Sequence, residues 1–121
     1  MEKPHKKLDV WNAGMVLATE TYKITGRFPR EERFHLTDQI HRSVVSVPSN
    51  IAEGAARHTR KEFINYLHMA QGSLSELDTQ LELAKRLGYM SEETWEALDG
   101  QIQRIDKMLS GLIKHQKAHE V

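Results

Sequence analysis

The sequence predicts an all-α protein, an up-down-up-down antiparallel four-helix bundle that occupies one domain over residues 1–121. Apolar residues recur every three or four positions in four segments, the spacing that places them on one face of a helix. No segment competes with the alternating pattern of a strand. Amphipathic helices joined by short connections pack antiparallel, so that each buries its apolar stripe against its neighbours.

Helix 1 is predicted from about residue 7 to 25. Its core stripe is predicted to be Leu8, Trp11, Met15, Ala18 and Tyr22. Gly26 suits the position just after a helix end, and the following Phe28-Pro29 cannot continue the helix. Residues 27–35 are predicted to form a charged loop with two aromatic anchors, Phe28 and Phe34.

Helix 2 is predicted from about residue 37 to 55, with Thr37 as its N-cap. Its core stripe is predicted to be Leu36, Ile40, Val44, Val47 and Ile51. Pro48 lies inside this pattern, lacks a backbone donor and is expected to kink the helix. A break into two helices at Pro48 is the alternative.

Helix 3 is predicted from about residue 60 to 87, because Thr59 and Glu62 form a capping box and Gly88 ends the pattern. Its core stripe is Phe63, Leu67, Ala70, Leu74, Leu77, Leu81 and Ala84. Ser91 is predicted to cap helix 4. The core stripe of helix 4 is Trp95, Leu98, Ile102, Ile105, Leu109 and Leu112.

Helices 1 and 3 each carry apolar residues outside the predicted core stripe. A contiguous second apolar face typically marks an interface, and closed homo-oligomers are its commonest use. The alternative is a wide stripe that faces the core. The candidate interface residues are Val10, Gly14, Leu17 and Ile24 on helix 1, and Tyr66, Met69, Leu83 and Leu87 on helix 3.

Several classes of site are excluded or disfavoured. The chain has no cysteine, so disulfides and thiolate metal sites are excluded. No phosphate-cradling glycine loop or nucleophile elbow is present. His115 and His119 are four residues apart in a polar C-terminal segment, which favours a solvated pair over a metal site. We therefore expect no enzyme activity, no catalytic residues, no cofactor, no metal and no small-molecule substrate.

No apolar run approaches the ~20 residues that span a membrane, and the polar N-terminus does not resemble a signal peptide. A cytoplasmic protein without a membrane partner is therefore expected.

The net charge is zero, but the charge is unevenly distributed along the chain. Residues 1–61 contain eleven Lys and Arg against seven Asp and Glu, and residues 62–121 contain six against ten. One interpretation is that the two halves attract each other within a bundle or across a subunit interface. The other is that the basic half meets an acidic partner such as RNA.

A polar stripe accompanies the apolar stripe of helix 2, and helix 3 offers a matching set. Its members are Ser46, Ser49, Asn50 and Glu53, with Ser73, Glu76 and Thr79. One interpretation is a solvated face in which Glu53 and Arg57 form an i, i+4 ion pair. The other is a buried polar network at a subunit or ligand interface.

The run Ser46-Val47-Pro48-Ser49-Asn50-Ile51-Ala52-Glu53-Gly54, inside a predicted helix, carries a family resemblance. It continues in Phe63, Tyr66, Leu67, Ala70, Gly72, Ser73, Leu74, Glu76, Leu77, Thr79, Gln80, Leu81, Leu87, Gly88 and Tyr89. Together these residues resemble the bacterial 23S rRNA intervening-sequence proteins, which are four-helix bundles related in fold to the accessory variability determinant of diversity-generating retroelements. The resemblance implies a homopentameric barrel of bundles and makes nucleic-acid binding a candidate role.

Two functions follow as hypotheses. The first is an oligomeric bundle that binds RNA or a ribonucleoprotein through Arg42, Arg57, His58, Arg60 and Lys61. The positive N-terminus of helix 3 would add to the field of these residues. The second is a protein-interaction or structural scaffold without nucleic-acid binding. A small-ligand binder or enzyme using Ser49, Asn50 and Glu53 is a third interpretation.

Overall fold

The computed structural model describes residues 3–119, which form four α-helices and two short 3₁₀ turns. The four helices are α1 (Asp9–Thr25), α2 (Leu36–Ala55), α3 (Arg60–Arg86) and α4 (Glu92–Ala118). The 3₁₀ turns are Pro4–Lys7, before α1, and Arg30–Glu32, between α1 and α2. No strand occurs in this part of the chain. The predicted all-α class is confirmed.

The helices pack as a four-helix bundle in which sequence neighbours are spatial neighbours. Each helix packs against the next one, and α4 closes the arrangement by packing against α1. The contact between α2 and α3 is the most extensive. Because the connections are short, neighbouring helices run in opposite directions, as the predicted up-down-up-down topology requires.

Both ends of α3 and the start of α4 are set by local hydrogen bonds at positions that the sequence predicted. The Thr59 side chain accepts a hydrogen bond from the backbone N–H of Glu62, and the Ser91 side chain accepts one from Thr94. At the end of α3, Gly88 has φ +81°, which favours glycine. The N–H groups of Gly88 and Tyr89 return to the carbonyls of Lys85 and Ala84, the pattern of a Schellman motif.

Helix α2 differs from its predicted start. It begins at Leu36, and its N-cap residue, His35, makes no capping bond with its side chain. Thr37 is therefore inside the first turn, and the prediction that it caps the helix is wrong. The predicted core stripe of α2 is confirmed, because all five of its residues are buried. The helix continues through Pro48, which excludes a break into two helices.

Helix α1 faces the core with a different side from the one predicted. Val10, Gly14 and Leu17 are buried, whereas Met15 is 42% and Tyr22 is 46% exposed. Of the predicted core stripe on α1, only Ala18 is buried, and Leu8 and Trp11 are partly buried. The prediction for α1 is therefore wrong, because the face predicted to form an oligomer interface lies in the core and most of the predicted core stripe does not.

Helices α3 and α4 bury the faces that the spacing predicted. All residues of the α3 stripe are buried except Phe63, which packs partly buried against the core. The ends of the α4 stripe, Trp95 and Leu112, are also only partly buried, and Ile113 takes a core position that was not predicted.

The segment between α1 and α2 is anchored by one aromatic residue. Phe28 is buried and packs against Tyr89, with ring centroids 5.5 Å apart. Tyr89 also donates a hydrogen bond to the Glu32 carboxylate at 2.6 Å. Phe34 is 78% exposed, so its predicted role as a second anchor is wrong.

None of the four described helices combines the length and the apolar character that a membrane crossing requires.

Candidate functional site

The turn between α2 and α3 presents a cluster of exposed cationic side chains. Arg57, His58, Arg60 and Lys61 are all exposed, as the sequence-based RNA hypothesis requires. They follow one another at the end of α2 and the start of α3. The first backbone N–H groups of α3 carry the positive end of the helix dipole into the same region.

Two of these side chains are held in place by neighbours. The Arg57 guanidinium donates a hydrogen bond to the Tyr66 hydroxyl at 2.7 Å and lies 4.9 Å from the centre of its ring. The Arg60 guanidinium donates to the Gln116 side-chain oxygen at 2.7 Å. Because neither partner is charged, both guanidiniums keep their full positive charge for a ligand.

Further cations reach this end of the bundle from both ends of the chain. The bond between Arg60 and Gln116 places the last turns of α4 beside the α2–α3 turn. The N-terminal 3₁₀ turn packs against α1 and α2, and His5 contacts the edge of Trp11. Trp11 in turn lines a groove with Ala52, near the end of α2.

We call this region the basic end. Its Lys and Arg residues are Lys3, Lys6, Lys7, Arg57, Arg60, Lys61, Lys114 and Lys117.

Arg42 does not belong to the basic end. It lies in the second turn of α2, fifteen residues before Arg57, so about 20 Å of helix separates the two side chains. Its guanidinium is paired with the Asp38 carboxylate at 2.9 Å. The expectation that Arg42 gathers with the other four residues is therefore wrong.

The predicted polar stripe divides into a connected part and a solvated part. The hydroxyls of Ser46 and Ser73 are 2.7 Å apart and join α2 to α3. Asn50 donates to both the carbonyl and the hydroxyl oxygen of Ser46, each at 2.9 Å. These side chains are part-buried, so a small polar network between two helices is present. The exposed members of the stripe are Ser49, Glu53, Glu76 and Thr79.

The predicted ion pair between Glu53 and Arg57 is absent from the described residues, because the Arg57 guanidinium is bonded to Tyr66 instead. Thr79 bonds only the carbonyl of Ser75, one turn earlier in its own helix. Ser46, Asn50 and Ser73 therefore form a polar network within the bundle, between α2 and α3, and their predicted place at a subunit or ligand interface stays a prediction. The other members of the stripe are exposed, as the solvated interpretation requires.

Only the α3 part of the predicted oligomer interface is accessible to a second molecule. Val10, Gly14 and Leu17 lie inside the bundle and Ile24 is half-buried, so this face of α1 cannot contact a second molecule as predicted. On α3, the predicted face is accessible. Met69, Leu83 and Leu87 are 51%, 48% and 50% exposed, and Tyr66 is half-buried.

An apolar groove, which the sequence did not predict, runs between α1 and α2. It has a volume of about 300 Å³ and is lined by Trp11, Met15, Ala18, Val45, Pro48, Ser49 and Ala52. Met15 and Val45 are each more than 40% exposed on its rim. This groove takes the place of the predicted α1 face as the accessible apolar surface on that side of the molecule.

An acidic cleft lies between α3 and α4, well away from the basic end. Asp78, Asp99 and Asp106 line it, and its volume is about 320 Å³. Burial, together with the charges of Asp99 and Glu82, raises the pKa of Asp78. Among residues 3–119 no group of three or more His, Cys, Asp or Glu side chains is arranged to hold a metal ion.

The sequence-based reasoning missed the cations of the chain ends. Lys3, Lys6, Lys114 and Lys117 are far from Arg57 in sequence, and only the antiparallel topology brings them to the same end. A signal was available, because in a four-helix bundle both chain termini lie at one end, beside the connection between the second and third helices.

Comparisons with known proteins are consistent with this fold. The family model described as 23S rRNA-intervening sequence protein matches residues 6–111. A crystal structure of a protein of unknown function from the S23 ribosomal protein family of Bacteroides thetaiotaomicron has a TM-score of 0.81 to the chain, with 29% sequence identity. The match covers 87% of this chain and 95% of that one. No functionally curated protein matches the chain.

Proposed function

Because the chain belongs to the 23S rRNA-intervening sequence protein family, we propose that it is a non-enzymatic helical bundle that binds RNA through the basic end. The observation that carries this proposal is the convergence of cations from three separate chain segments on one end of a chain with no net charge. A local excess of this kind attracts a polyanion even when the whole molecule is neutral.

The side chains of the basic end suit phosphate contacts. Arg57 and Arg60 are exposed but held by uncharged partners, so less side-chain freedom is lost when they meet a phosphate. The aromatic rings beside these guanidiniums are Tyr66, under Arg57, and Phe63, which lines a pocket with Arg57 and Arg60, and both rings are half-buried. With little aromatic surface for base stacking, binding is expected to follow the RNA backbone with little sequence preference.

Self-association is part of the proposal. The exposed apolar residues Met69, Leu83 and Leu87 on α3 and the apolar groove between α1 and α2 are surfaces that a second copy could cover. A homopentamer, as the family resemblance implies, would repeat the basic end around a ring and sum weak contacts into avidity. Native mass spectrometry tests this, since a mass of 14.0 kDa at micromolar concentration would refute self-association.

The RNA proposal is tested by fluorescence anisotropy with a short single-stranded RNA at several salt concentrations. In the variant Arg57→Ala/Arg60→Ala/Lys61→Ala, most of the affinity should be lost. The slope of log affinity against log salt should fall by about one for each lost phosphate contact. Adding Lys114→Ala and Lys117→Ala should weaken binding further, because these residues lie at the same end.

The matched control is Lys23→Ala/Arg42→Ala/Lys107→Ala, which removes the same charge outside the basic end. It should retain affinity and salt slope. Equal losses in the two triple variants would refute the basic end as the site and leave only non-specific attraction. Absence of binding by the unmodified chain at low salt would refute RNA binding as such.

A protein-interaction or structural scaffold is the second candidate, and the apolar groove favours it. Apolar grooves between helices of this kind accept apolar side chains of another helix. Under this alternative, Met15→Glu and Val45→Glu should abolish association, as sedimentation velocity would show, and the unmodified chain should bind no RNA at low salt. Because both functions include association, the RNA anisotropy measurement is what distinguishes them.

A further inference from the structure

A small cleft lies at the end of the bundle opposite the basic end, where α1 ends and α2 begins. It has a volume of about 230 Å³, and its polar lining residues are Tyr22, Thr25, Arg30, Arg33, Thr37 and His41. Ligand pockets for whole drug-sized molecules usually exceed ~300 Å³. The cleft therefore suits a small group, or one end of a larger molecule.

The first indication of a ligand is a hydroxyl without a partner. Thr37 is only 9% exposed, and its Oγ1 atom makes no hydrogen bond. A buried hydroxyl normally makes a hydrogen bond, because a buried polar group without a partner costs free energy. Threonine in a helix has two accessible χ1 rotamers, so this hydroxyl can turn toward an oxygen bound in the cleft.

The second indication is the uncapped start of α2. The first intrahelical bond is donated by the N–H of Gln39 to the carbonyl of His35, and no side chain caps the turn. The N–H groups of Leu36, Thr37 and Asp38 therefore point out of the helix without intrahelical acceptors. Such a terminus, in a helix of twenty residues, attracts an anion.

The third indication is a pair of guanidinium donors at the cleft. Two arginines, Arg30 and Arg33, line it. Of the neighbouring carboxylates, Glu32 accepts a hydrogen bond from Tyr89 and Asp38 is paired with Arg42. Glu31 and Glu32 lie on the same turn as Arg30 and balance the charge of the two arginines, so the guanidiniums act on an anion as positioned donors and not through a net positive field.

The floor of the cleft is ordered by a chain of hydrogen bonds. The His41 ring is stacked on Tyr22 with centroids 3.8 Å apart, and its Nε2 atom is 2.7 Å from the Thr25 hydroxyl. The Thr25 hydroxyl also lies 3.2 Å from the Tyr22 carbonyl oxygen, so it connects the His41 ring to the last turn of α1.

We propose that this cleft binds a phosphoryl group through the N-terminal amides of α2, the Thr37 hydroxyl and the guanidiniums of Arg30 and Arg33. A phosphate monoester supplies several acceptor oxygens and a double negative charge, which match donors of this kind. The group can come from a free phosphorylated metabolite or from the 5′-phosphate of an RNA. The inference does not rest on the basic end, which lies at the other end of the bundle.

The test is a ¹H–¹⁵N NMR titration with inorganic phosphate, ribose 5-phosphate, and a short RNA with either a 5′-phosphate or a 5′-hydroxyl. Phosphate should shift the amides of residues 36–38 at millimolar concentration. A stronger effect of ribose 5-phosphate identifies a metabolite as the source. A shift caused by the 5′-phosphorylated RNA but not by the 5′-hydroxyl RNA identifies an RNA end.

Two variants with matched controls decide the residues. Arg30→Ala/Arg33→Ala should weaken phosphate binding about tenfold or more, whereas Arg104→Ala/Lys107→Ala, with the same loss of charge on α4, should not. Thr37→Val should weaken phosphate binding a few-fold and leave the stability unchanged. Its control, Thr79→Val, should leave phosphate binding unchanged. Unshifted amides in the unmodified chain, or equal affinity in the Arg30/Arg33 variant and its control, would overturn the proposal.

If the triple variant of the basic end loses RNA affinity while the amides of residues 36–38 still respond to phosphate, the two sites are independent. If the amides do not respond but RNA binding persists at the basic end, the cleft proposal fails and the proposed function stands.

Discussion

Helices α1 and α3 each carry two apolar faces, and the structure uses them in opposite ways. On α3, the predicted stripe, including Leu67, Leu74 and Leu81, is buried, and the second face remains accessible. On α1, the second face, with Leu17 fully buried, forms the core, and the predicted stripe, with Met15 exposed, lies outside.

The difference follows from composition. The buried face of α3 consists of leucine and alanine with one isoleucine, Ile64, so hydropathy alone identifies it. The buried face of α1 includes Gly14, Thr21 and Thr25, which lower its apparent hydrophobicity. The outer face of α1 holds the larger side chains of Met15 and Tyr22. Periodicity locates a helix and its faces, but packing decides which face is covered when two compete.

Tertiary contacts decide the face of α1. A Cβ atom added at Gly14 would lie 3.4 Å from the Cβ of Pro48, so this face of α1 packs against α2 at the proline ring. Tyr22 finds its partner outside the core, stacked on His41. Neither contact is local in sequence, which is why the spacing on α1 could not reveal it.

The largest expected effect compares the two faces of α1 directly. Leu17→Ala should lower the free energy of unfolding by ~2–5 kcal/mol, because Leu17 is fully buried and its loss leaves a cavity. Met15→Ala should cost less than ~1 kcal/mol, because Met15 is 42% exposed. Urea unfolding of both variants measures the difference. A larger loss of unfolding free energy in Met15→Ala than in Leu17→Ala would mean that the face with Met15 is the buried one, as the sequence predicted.

The next effect compares the glycines through which α1 and α3 contact α2. Gly54→Ala should destabilise by ~1–3 kcal/mol, because the added Cβ would lie 2.7 Å from Tyr66 Cβ and 2.9 Å from Phe63 Cδ1. Gly14→Ala should be close to neutral, since its nearest contact is 3.4 Å away and alanine favours the helix.

Gly72→Ala, with no atom within 4 Å of the added Cβ, is the control and should stabilise by up to ~1 kcal/mol. Thermal unfolding of the three variants gives the order. If Gly54→Ala is as stable as Gly72→Ala, the close approach of α2 and α3 at Gly54 does not exist in solution.

A smaller effect contrasts the polar contacts of the two helices. Ser73 on α3 shares a hydrogen bond with Ser46, so a double-mutant cycle of Ser46→Ala and Ser73→Ala should give a coupling of ~0.5–1.5 kcal/mol. Thr21 on α1 is fully buried and its hydroxyl has no partner. Thr21→Val should therefore keep or raise the stability. A loss of stability in Thr21→Val would mean that the hydroxyl has a partner in solution, such as a buried water.

The smallest effect is a pH dependence where α1 packs against α2. Burial lowers the pKa of His41 from its ordinary value of 6.5, and the charge of Asp38 opposes the shift. The unfolded chain therefore takes up this proton at higher pH than the folded chain. The contribution of His41 is complete above pH 6.5 and is lost as the pH falls toward the lowered folded-state pKa.

His41→Gln, which keeps a nitrogen donor near Thr25, should flatten that part of the stability profile. His58→Gln, at an exposed position outside this contact, should leave it unchanged. Chemical denaturation from pH 5 to 8 measures both variants, a window in which histidine is the side chain that ordinarily titrates. A profile for His41→Gln that matches the unmodified chain would exclude His41 as the source.

A candidate site could be predicted from the sequence to the extent that its residues lie close together along the chain. Arg57, His58, Arg60 and Lys61 are consecutive or nearly so, and a helix end exposes such a turn wherever it lies. The contact of Arg60 with Gln116, and the position of the lysines of the chain ends, depend on how the helices pack. The phosphoryl cleft depends on the 3₁₀ turn Arg30–Glu32, which the sequence did not predict, and on the start of α2 at Leu36. The sequence predicted Thr37 as a capping residue and so gave no sign that its hydroxyl lacks a partner.

The sequence by itself determined the number of helices, both ends of α3, the start of α4, and the buried faces of α2, α3 and α4. These features depend on hydrogen bonds and hydrophobic periods that extend over a few residues. Only the tertiary structure decided which face of α1 is buried, which cations share one end, and which polar side chains find partners across helices. Those outcomes depend on free-energy differences between alternative packings, and residues distant in sequence, such as Gly14 with Pro48 and Ser46 with Ser73, determine them.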